Sequence, residues 1–357
     1  MAIEERTLIA EEYILGHEAA ELENQMAAHM GAAGCVLVGK AKEGLAVALK
    51  ACGADKRNGV MCTTLGNAAT LAEIEKAGAQ PVFVDINPNT LNLDPYCLDY
   101  VINKCIREKQ PVPKVLIATD LFGMPCKYAE IAEICARHGI SVIEDMGGAF
   151  GAKDGAISAG SIGRFTVASF FESATAVIGE EGAVFCTREE DAAALRALRP
   201  GAEQQSLSGE WGHSGKAQHL LIAQMVKNAG SELSRRQLIA GWYQKRLKGF
   251  VRMQESLDKN VVSAYMQFVI MLENAEKRMA VMDRLTAERI PCAVYYPNAL
   301  HEHIKKSDWR RLMFVNAERA SRQLVALPMH PYLSEHVVDF ICSCVLDTIK
   351  IKKKVSR

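Results

Sequence analysis

The chain has 357 residues, of which 49% are apolar, and its 42 basic and 42 acidic side chains give no formal net charge. This composition predicts one large or two modest globular domains with a buried core. The balanced charge excludes the electrostatic footprint that a nucleic-acid-binding or membrane-surface protein carries.

The termini and the cysteines indicate a cytoplasmic protein. The N-terminal MAIEERTLIAEEY has no apolar core of a signal peptide, and no run approaches 18 uncharged apolar residues. The basic tail at 351–357 is typical of a solvated terminus. None of the eleven cysteines forms a C-x-x-C pair. Most lie in apolar context (for example Cys35, Cys62 and Cys186), so we expect buried free thiols and no metal site.

From residue 34 to about 190, short apolar runs alternate with helical patterns. The runs are continuous rather than alternating, which is typical of strands buried on both faces of a parallel sheet. The helical patterns between them end in glycine or charge, as at Gly53. The sequence therefore predicts an α/β fold with a mostly parallel sheet. The predicted strands are 35–38, 60–62, 81–86, 114–120, 141–145, 165–170 and 183–187.

The pattern changes in the C-terminal third. Residues 200–235 are predicted to form a polar loop that leads into a helix. VVSAYMQFVIML (261–272) is predicted to be a buried strand, and helices are predicted at 273–290 and 334–349. We expect a large domain over 1–238 and a smaller α+β domain over 239–357, with residues 1–20 packing on the smaller one.

Two acidic residues and a catalytic-looking segment follow neighbouring strands. In open α/β sheets, ligands bind beyond the carboxyl ends of the strands. The IED stretch places Glu144 and Asp145 at one such end. The segment SFFESATAVIGEEG (169–182) begins at another. The sequence therefore predicts a ligand site at this edge, with alanine, Ala174, at the centre of the segment.

Four stretches and a C-terminal pair, in order, resemble the DegT/StrS family of sugar aminotransferases. This family is a branch of the type I aspartate aminotransferase fold, which uses pyridoxal phosphate (PLP). The resemblance implies a large α/β domain followed by a small α+β domain. It runs along most of the chain, through QPVFVDINPNTLNLDP (80–95), ATDLFGMPC (118–126), HGISVIEDMGGAFGA (138–152), GSIGRFTVASFF (160–171) and the pair VYYPNALH (294–301) with ALPMHPYLSE (326–335).

The resemblance implies roles for the acid Asp145 and for two positions of the segment, Ser169 and Ala174. Asp145 matches the acid that pairs with the pyridine nitrogen and keeps it protonated. Ser169 matches a serine that contacts the phosphate. Ala174 stands where the family has the lysine that bonds to the cofactor, and no lysine lies between Lys153 and Lys216.

Other positions that the family uses also differ here. The phosphate-binding S-G-T falls on Lys40, Ala41 and Lys42, for which solvent-facing lysines at a helix start are an equally good interpretation. The ring-stacking aromatic falls on Asn67 and a cofactor-facing glutamine falls on Gly148. The phosphate-binding asparagine that a neighbouring subunit lends falls on Ser214. Substrate contacts fall on Tyr296 and His301, with Lys40 as a third candidate.

Three functions are compatible with this pattern. The chain could hold PLP or pyridoxamine phosphate (PMP) without a covalent bond in nucleotide-sugar, polysaccharide or secondary metabolism, for which Glu172 is the nearest base. It could be a non-catalytic subunit that partners an active paralogue. It could also be an enzyme that uses the pocket without PLP, with Lys40, Lys42, Glu172, His213 and His301 around an anionic ligand. Because several contacts differ together, natural divergence is favoured over one engineered lysine replacement. The family implies a homodimer or a heterodimer.

Overall fold

The structure is a computed structural model that describes residues 19–170, 181–198, 216–304 and 313–355. A seven-stranded sheet forms the larger part of the molecule, in the order β1-β9-β8-β5-β4-β2-β3. In this sheet β9 pairs antiparallel with β1 and β8, whereas the other described pairs are parallel, so the prediction of a mostly parallel α/β sheet is confirmed. Its strands are β1 (Gly34–Val38), β2 (Val60–Thr63), β3 (Pro81–Val84), β4 (Val115–Thr119), β5 (Ser141–Gly147), β8 (Phe165–Ser169) and β9 (Gly182–Cys186).

Helices connect these strands, and capping side chains or a glycine begin or end several of the helices. The Asn67 and Asp94 side chains cap the helices that follow them by accepting hydrogen bonds from backbone N–H groups. Gly139 adopts φ 62° after the helix that precedes β5, a conformation that costs glycine little. The helices of this part are α1 (19–30), α2 (Ala41–Ala51), α3 (Ala68–Lys76), α4 (Pro95–Arg107), α5 (Tyr128–His138) and α6 (Glu189–Leu198).

The two faces of the large sheet are covered by different elements. Side chains of β1, β5 and β8 that point to one face pack with α2 and α3, as Val38, Ile143 and Val167 do. Alternate side chains such as Val142 and Ala168 pack on the other face with α1, α4 and α5. Because strand side chains alternate between faces, neighbouring residues at a strand end meet different environments.

The C-terminal part has a second sheet and its own apolar core. Strands β10 (Arg252–Met253), β12 (Phe268–Met271) and β13 (Leu324–Leu327) form this sheet. Its core contains residues from Ile239 to Val345. The predicted boundary at residue 238 stays a prediction, since one helix runs across it. The helices are α7 (Lys216–Leu247), α8 (Ala275–Ala287), α9 (Val315–Gln323) and α10 (Glu335–Val355).

The prediction of one strand over residues 261–272 is wrong. The segment contains two strands in different sheets: β11 (Val261–Val262) pairs with β6 (Lys153–Asp154), which also pairs with β7 (Ile157–Ser158), whereas β12 pairs with β10 and β13. Between β11 and β12, Tyr265 has φ 47°, and the Ala264 N–H donates to the Gly123 carbonyl at 2.7 Å. This long-range contact bends the chain out of a continuous strand.

The cysteines are all free, as predicted; eight are buried and three are half-buried. Among the described residues, the helices are too short or too polar to cross a membrane.

Candidate functional site

Asp145 and Ser169 lie at the carboxyl ends of two adjacent parallel strands. Asp145 on β5 is in register with Val167 on β8, and Ser169 follows two residues later. Ile143 and Val167 point towards α2. Asp145 and Ser169 each follow two residues later, so their side chains lie on the same face of the sheet. Both residues are half-buried. The structure therefore places the predicted acid and the predicted phosphate-contacting serine on one face of one sheet edge.

The N-terminus of α2 packs against this edge. Gly182 begins β9 and is in register with Ser169 on one side and Val38 on the other. A Cβ atom at Gly182 would lie 2.6 Å from the Ala168 carbonyl oxygen and 2.8 Å from Ala41 Cα. Only glycine allows this approach, which brings the first turn of α2 against the ends of β8 and β9.

The start of α2 has an internal cap and nearby positive charge. The Lys40 N–H donates to Glu43 Oε2 at 3.1 Å, and the Glu43 N–H donates to the Lys40 carbonyl at 2.9 Å. The amides of Ala41 and Lys42 belong to the first turn, where backbone N–H groups have no partner within a helix. Lys42 is exposed and Lys40 is half-buried. A helix start of this kind favours an anionic ligand.

Four residues singled out from the sequence lie outside the described residues. Ala174, the position of the missing lysine, and Ser214 are among them, together with Glu172 and His213. Their roles stay predictions.

Asn67 and Gly148 each have a role in the fold. Asn67 is exposed, and its side chain accepts a hydrogen bond from the Ala69 N–H at 2.9 Å at the start of α3. A Cβ atom at Gly148 would lie 2.7 Å from Met266 Cε, so the buried Met266 side chain fills the space beside it. Asn67 thus caps a helix, and the absence of a side chain at Gly148 leaves room for the core residue Met266.

His301 closes the end of β2. Its Nδ1 atom lies 2.6 Å from Thr64 Oγ1, and its Nε2 atom lies 3.4 Å from Glu318 Oε1. The ring packs on Phe314 with a centroid distance of 4.6 Å. The Leu300 N–H also donates to the Thr64 carbonyl at 2.6 Å. These contacts fix the segment after Tyr296 on the carboxyl edge of the large sheet, and no signal in the sequence pointed to Thr64.

Tyr296 belongs to an aromatic group at the end of β4. Its ring lies 6.5 Å from that of Phe122, which adopts φ 63°, and 6.0 Å from that of Tyr295. Phe122 is buried, whereas both tyrosines are half-buried. The structure thus places both predicted substrate residues, Tyr296 and His301, beside ends of strands of the large sheet.

A second group of acids lies on the opposite face of the same edge. Glu144, next to Asp145, and Tyr128 are fully buried, and Asp120 is nearly so. The Tyr128 hydroxyl donates to Asp120 Oδ2 at 2.5 Å. Burial raises the pKa of both carboxyl groups, and the charge of Glu144 raises the pKa of Asp120 further. The sequence pattern predicted no partner for Glu144, because Asp120 and Tyr128 are distant from it along the chain.

Comparisons with known proteins agree on one family. The profile of the DegT/DnrJ/EryC1/StrS aminotransferase family matches residues 3–346. The chain is 30% identical over 346 residues to a UDP-2-acetamido-2-deoxy-3-oxo-D-glucuronate aminotransferase from Pseudomonas aeruginosa, covering 96% of this chain and 93% of that protein.

Solved structures give the same picture. A DegT DnrJ EryC1 StrS aminotransferase from Brucella abortus superposes with a TM-score of 0.79 at 27% identity, over 96% of this chain and 95% of that one. NtdA from Bacillus subtilis, solved with bound PMP, superposes with a TM-score of 0.78 at 22% identity, over 93% of this chain and 77% of that one. At 22% identity, the similarity to NtdA is evidence for the fold alone.

Proposed function

The chain belongs to the DegT/DnrJ/EryC1/StrS aminotransferase family, and from that premise we propose that it binds PMP or PLP without a covalent bond. We place it in the cytoplasm, in the biosynthesis of a nucleotide sugar or polysaccharide. The similarity to an aminotransferase of a UDP-sugar supports this substrate class. Ordinary transamination by this chain alone is not part of the proposal, because Ala174 has no amine.

The observation that carries the proposal is the shared face of Asp145, Ser169 and the start of α2. Asp145 would hold a protonated ring nitrogen, since its carboxyl lies at the carboxyl end of β5. Ser169 and the first-turn amides of α2 would hold the phosphate, and the close approach at Gly182 sets their spacing. The residues present therefore fit the ring and the phosphate of such a cofactor.

The bound cofactor would supply an electron-accepting ring and, as PMP, an amino group. The chain's own part in that site is binding and orientation. Asp145 would stabilise positive charge on the ring nitrogen, and the start of α2 with Lys40 and Lys42 would neutralise the phosphate. In place of a covalent lysine, Ala174 leaves the cofactor free to dissociate.

A titration with PMP tests this proposal. We expect saturable binding by the natural chain, and a loss of about tenfold to a hundredfold in affinity on Asp145→Ala, because a charge-assisted hydrogen bond is removed. Asp55→Ala is the control, since Asp55 is a surface acid paired with Arg57 at 2.8 Å. Equal affinity of the natural chain and Asp145→Ala, or no binding by either, would contradict the proposal.

A second candidate is a non-catalytic subunit that completes the site of an active relative. The engagement of Asn67 as a helix cap and the filling of the space beside Gly148 by Met266 favour it. Both positions then serve the fold rather than the cofactor. Native mass spectrometry after co-expression with a lysine-bearing member of the family from the same source tests this candidate. A stable heterodimer supports it, and a homodimer that binds PMP contradicts it.

We also propose that the chain assembles as a dimer, because the family pattern assigns the position of Ser214 to a neighbouring subunit's site. Sedimentation equilibrium tests this: a monomer at micromolar concentration would contradict it.

A further inference from the structure

The proposed function leaves the acids beneath Asp145 without a role. Asp120 follows β4, and Glu144 and Tyr128 reach it from β5 and α5. The side chains of Glu144 and Tyr128 have no exposed surface, and Asp120 is 4% exposed. The Cys126 N–H donates to Asp120 Oδ1 at 2.8 Å, and the Tyr128 hydroxyl donates to Oδ2 at 2.5 Å. These four residues form the buried acid cluster.

Glu144 is held by backbone donors. The Gly160 N–H donates to Glu144 Oε1 at 2.6 Å, and the Ile162 N–H donates to Oε2 at 3.3 Å. Hydrogen bonds of this kind stabilise the ionised form of a carboxyl group. Glu144 accepts from two fixed backbone donors and Asp120 from one, so Glu144 is the better placed of the two carboxyl groups to hold a negative charge.

A second charge at Asp120 would be costly. Two carboxylates that share a buried space repel each other and lose hydration, so one of them keeps its proton. Burial and the charge of Glu144 together hold the pKa of Asp120 well above its ordinary value. The neighbouring Cys126 thiol is also buried, and its pKa is raised as well. At the start of α5, Lys127 pairs with Asp154 at 3.4 Å.

The cluster is connected to Asp145 through the backbone. The Asp120 N–H donates to the Asp145 carbonyl at 3.0 Å, which extends the pairing of Thr119 with Asp145 by one bond. Glu144 precedes Asp145 in the same strand. The backbone position of Asp120 is therefore tied directly to the strand end that carries Asp145.

We propose that Asp120 and Glu144 share one proton beside the Tyr128 hydroxyl, and that Asp120 is a positioning residue for Asp145. The neutral Asp120 fixes the end of β5 and limits the buried charge beneath Asp145 to one unit. A second negative charge is thereby kept away from the strand end whose opposite face, with Asp145, would meet a cationic ring nitrogen. The link to ligand binding rests on the proposed function, whereas the shared proton does not.

Thermal unfolding of Asp120→Asn between pH 5 and pH 9 tests the shared proton. An unfolded aspartate ionises near pH 3.9, so a raised pKa in the folded protein makes the natural chain lose stability as pH rises above that value. Asparagine, which resembles the neutral acid, does not titrate. We expect the variant to unfold at the same or a higher temperature, with the difference growing as pH rises.

Asp191→Asn is the matched control, because the pKa of Asp191 is shifted in the opposite direction from that of Asp120. The Asp191 carboxylate pairs with Arg164 at 2.7 Å and with Arg188 at 3.0 Å, and these bonds lower its pKa. Its stabilisation is present above the unfolded pKa, so this variant should be less stable throughout the same pH range. If Asp120→Asn behaves like Asp191→Asn, Asp120 is ionised in the folded protein and the shared proton is refuted.

Binding of PMP then tests the positioning role. Asp120→Asn should bind within about threefold of the natural chain, whereas Asp120→Ala, which leaves the Cys126 N–H and the Tyr128 hydroxyl without an acceptor, should bind at least about tenfold more weakly. If asparagine preserves PMP binding and alanine does not, the hydrogen bonds of Asp120 rather than a negative charge there position Asp145. A folded Asp120→Ala that binds like the natural chain would overturn the role. If the natural chain does not bind PMP, the positioning role falls with the proposed function, and the unfolding profile still decides the proton.

Discussion

Glu144 and Asp145 are neighbours in the sequence but occupy opposite faces of β5. Glu144 is fully buried, accepts backbone hydrogen bonds from the connection before β8 and shares its surroundings with Asp120. Asp145 is half-buried on the face that holds Ser169 and the start of α2. The alternation of a strand has thus placed one of two consecutive acids in the buried interior and the other on the face where we propose a ligand site.

The largest expected effect on stability comes from removing the buried member of this pair. Glu144→Ala leaves the Gly160 and Ile162 N–H groups without their acceptor and creates a cavity, so we expect a loss of about 3 kcal/mol in the free energy of unfolding. Asp145→Ala is the matched variant and should cost about 1 kcal/mol, because its site is half open to water. Urea denaturation measures both. Equal losses would show that the two faces are not as different as their burial indicates.

A smaller effect is expected from the ligand-facing side of the edge. Gly182→Ala would bring a methyl group against backbone atoms of Ala168 and Ala41, which cannot rotate away. We expect a loss of about 2 kcal/mol and weaker PMP binding, as the start of α2 is displaced.

Gly53→Ala is the control for this change. Gly53 has φ 72°, and a Cβ atom there would meet nothing within 4 Å. Its cost of about 1 kcal/mol should come from backbone strain alone, with PMP binding unchanged. Identical binding losses in the two variants would contradict a role for the close approach at Gly182.

Most of the fold could be predicted from the sequence because each strand of the large sheet is a continuous apolar run. The runs at 35–38, 81–86 and 141–145 lie within a few residues of the observed strands. The prediction of one strand at 261–272 was wrong, since apolar character alone cannot show that the Ala264 N–H donates to the Gly123 carbonyl. Local pattern predicts where a strand can form, and tertiary hydrogen bonds decide where it stops.

The candidate site could be predicted only in part. Position at strand ends singled out Glu144, Asp145 and the segment that begins at Ser169, and the family pattern then assigned roles to Asp145, Ser169 and Ala174. The partners of Glu144 could not be found this way, because Asp120 and Tyr128 are brought to it by the packing of β4 and α5 against β5. The filling of space beside Gly148 by Met266 likewise depends on a contact across more than a hundred residues.

The central claim is that the face shared by Asp145, Ser169 and the start of α2 still holds the ring and the phosphate of the cofactor, although the covalent lysine and other contacts of the family are absent. Ala174→Lys tests it most directly: the variant is incubated with PLP, reduced with borohydride and analysed by peptide mass spectrometry. We expect covalent attachment at position 174 in the variant and none in the natural chain. A folded variant with no attachment would show that the pocket itself has diverged, and would contradict the claim.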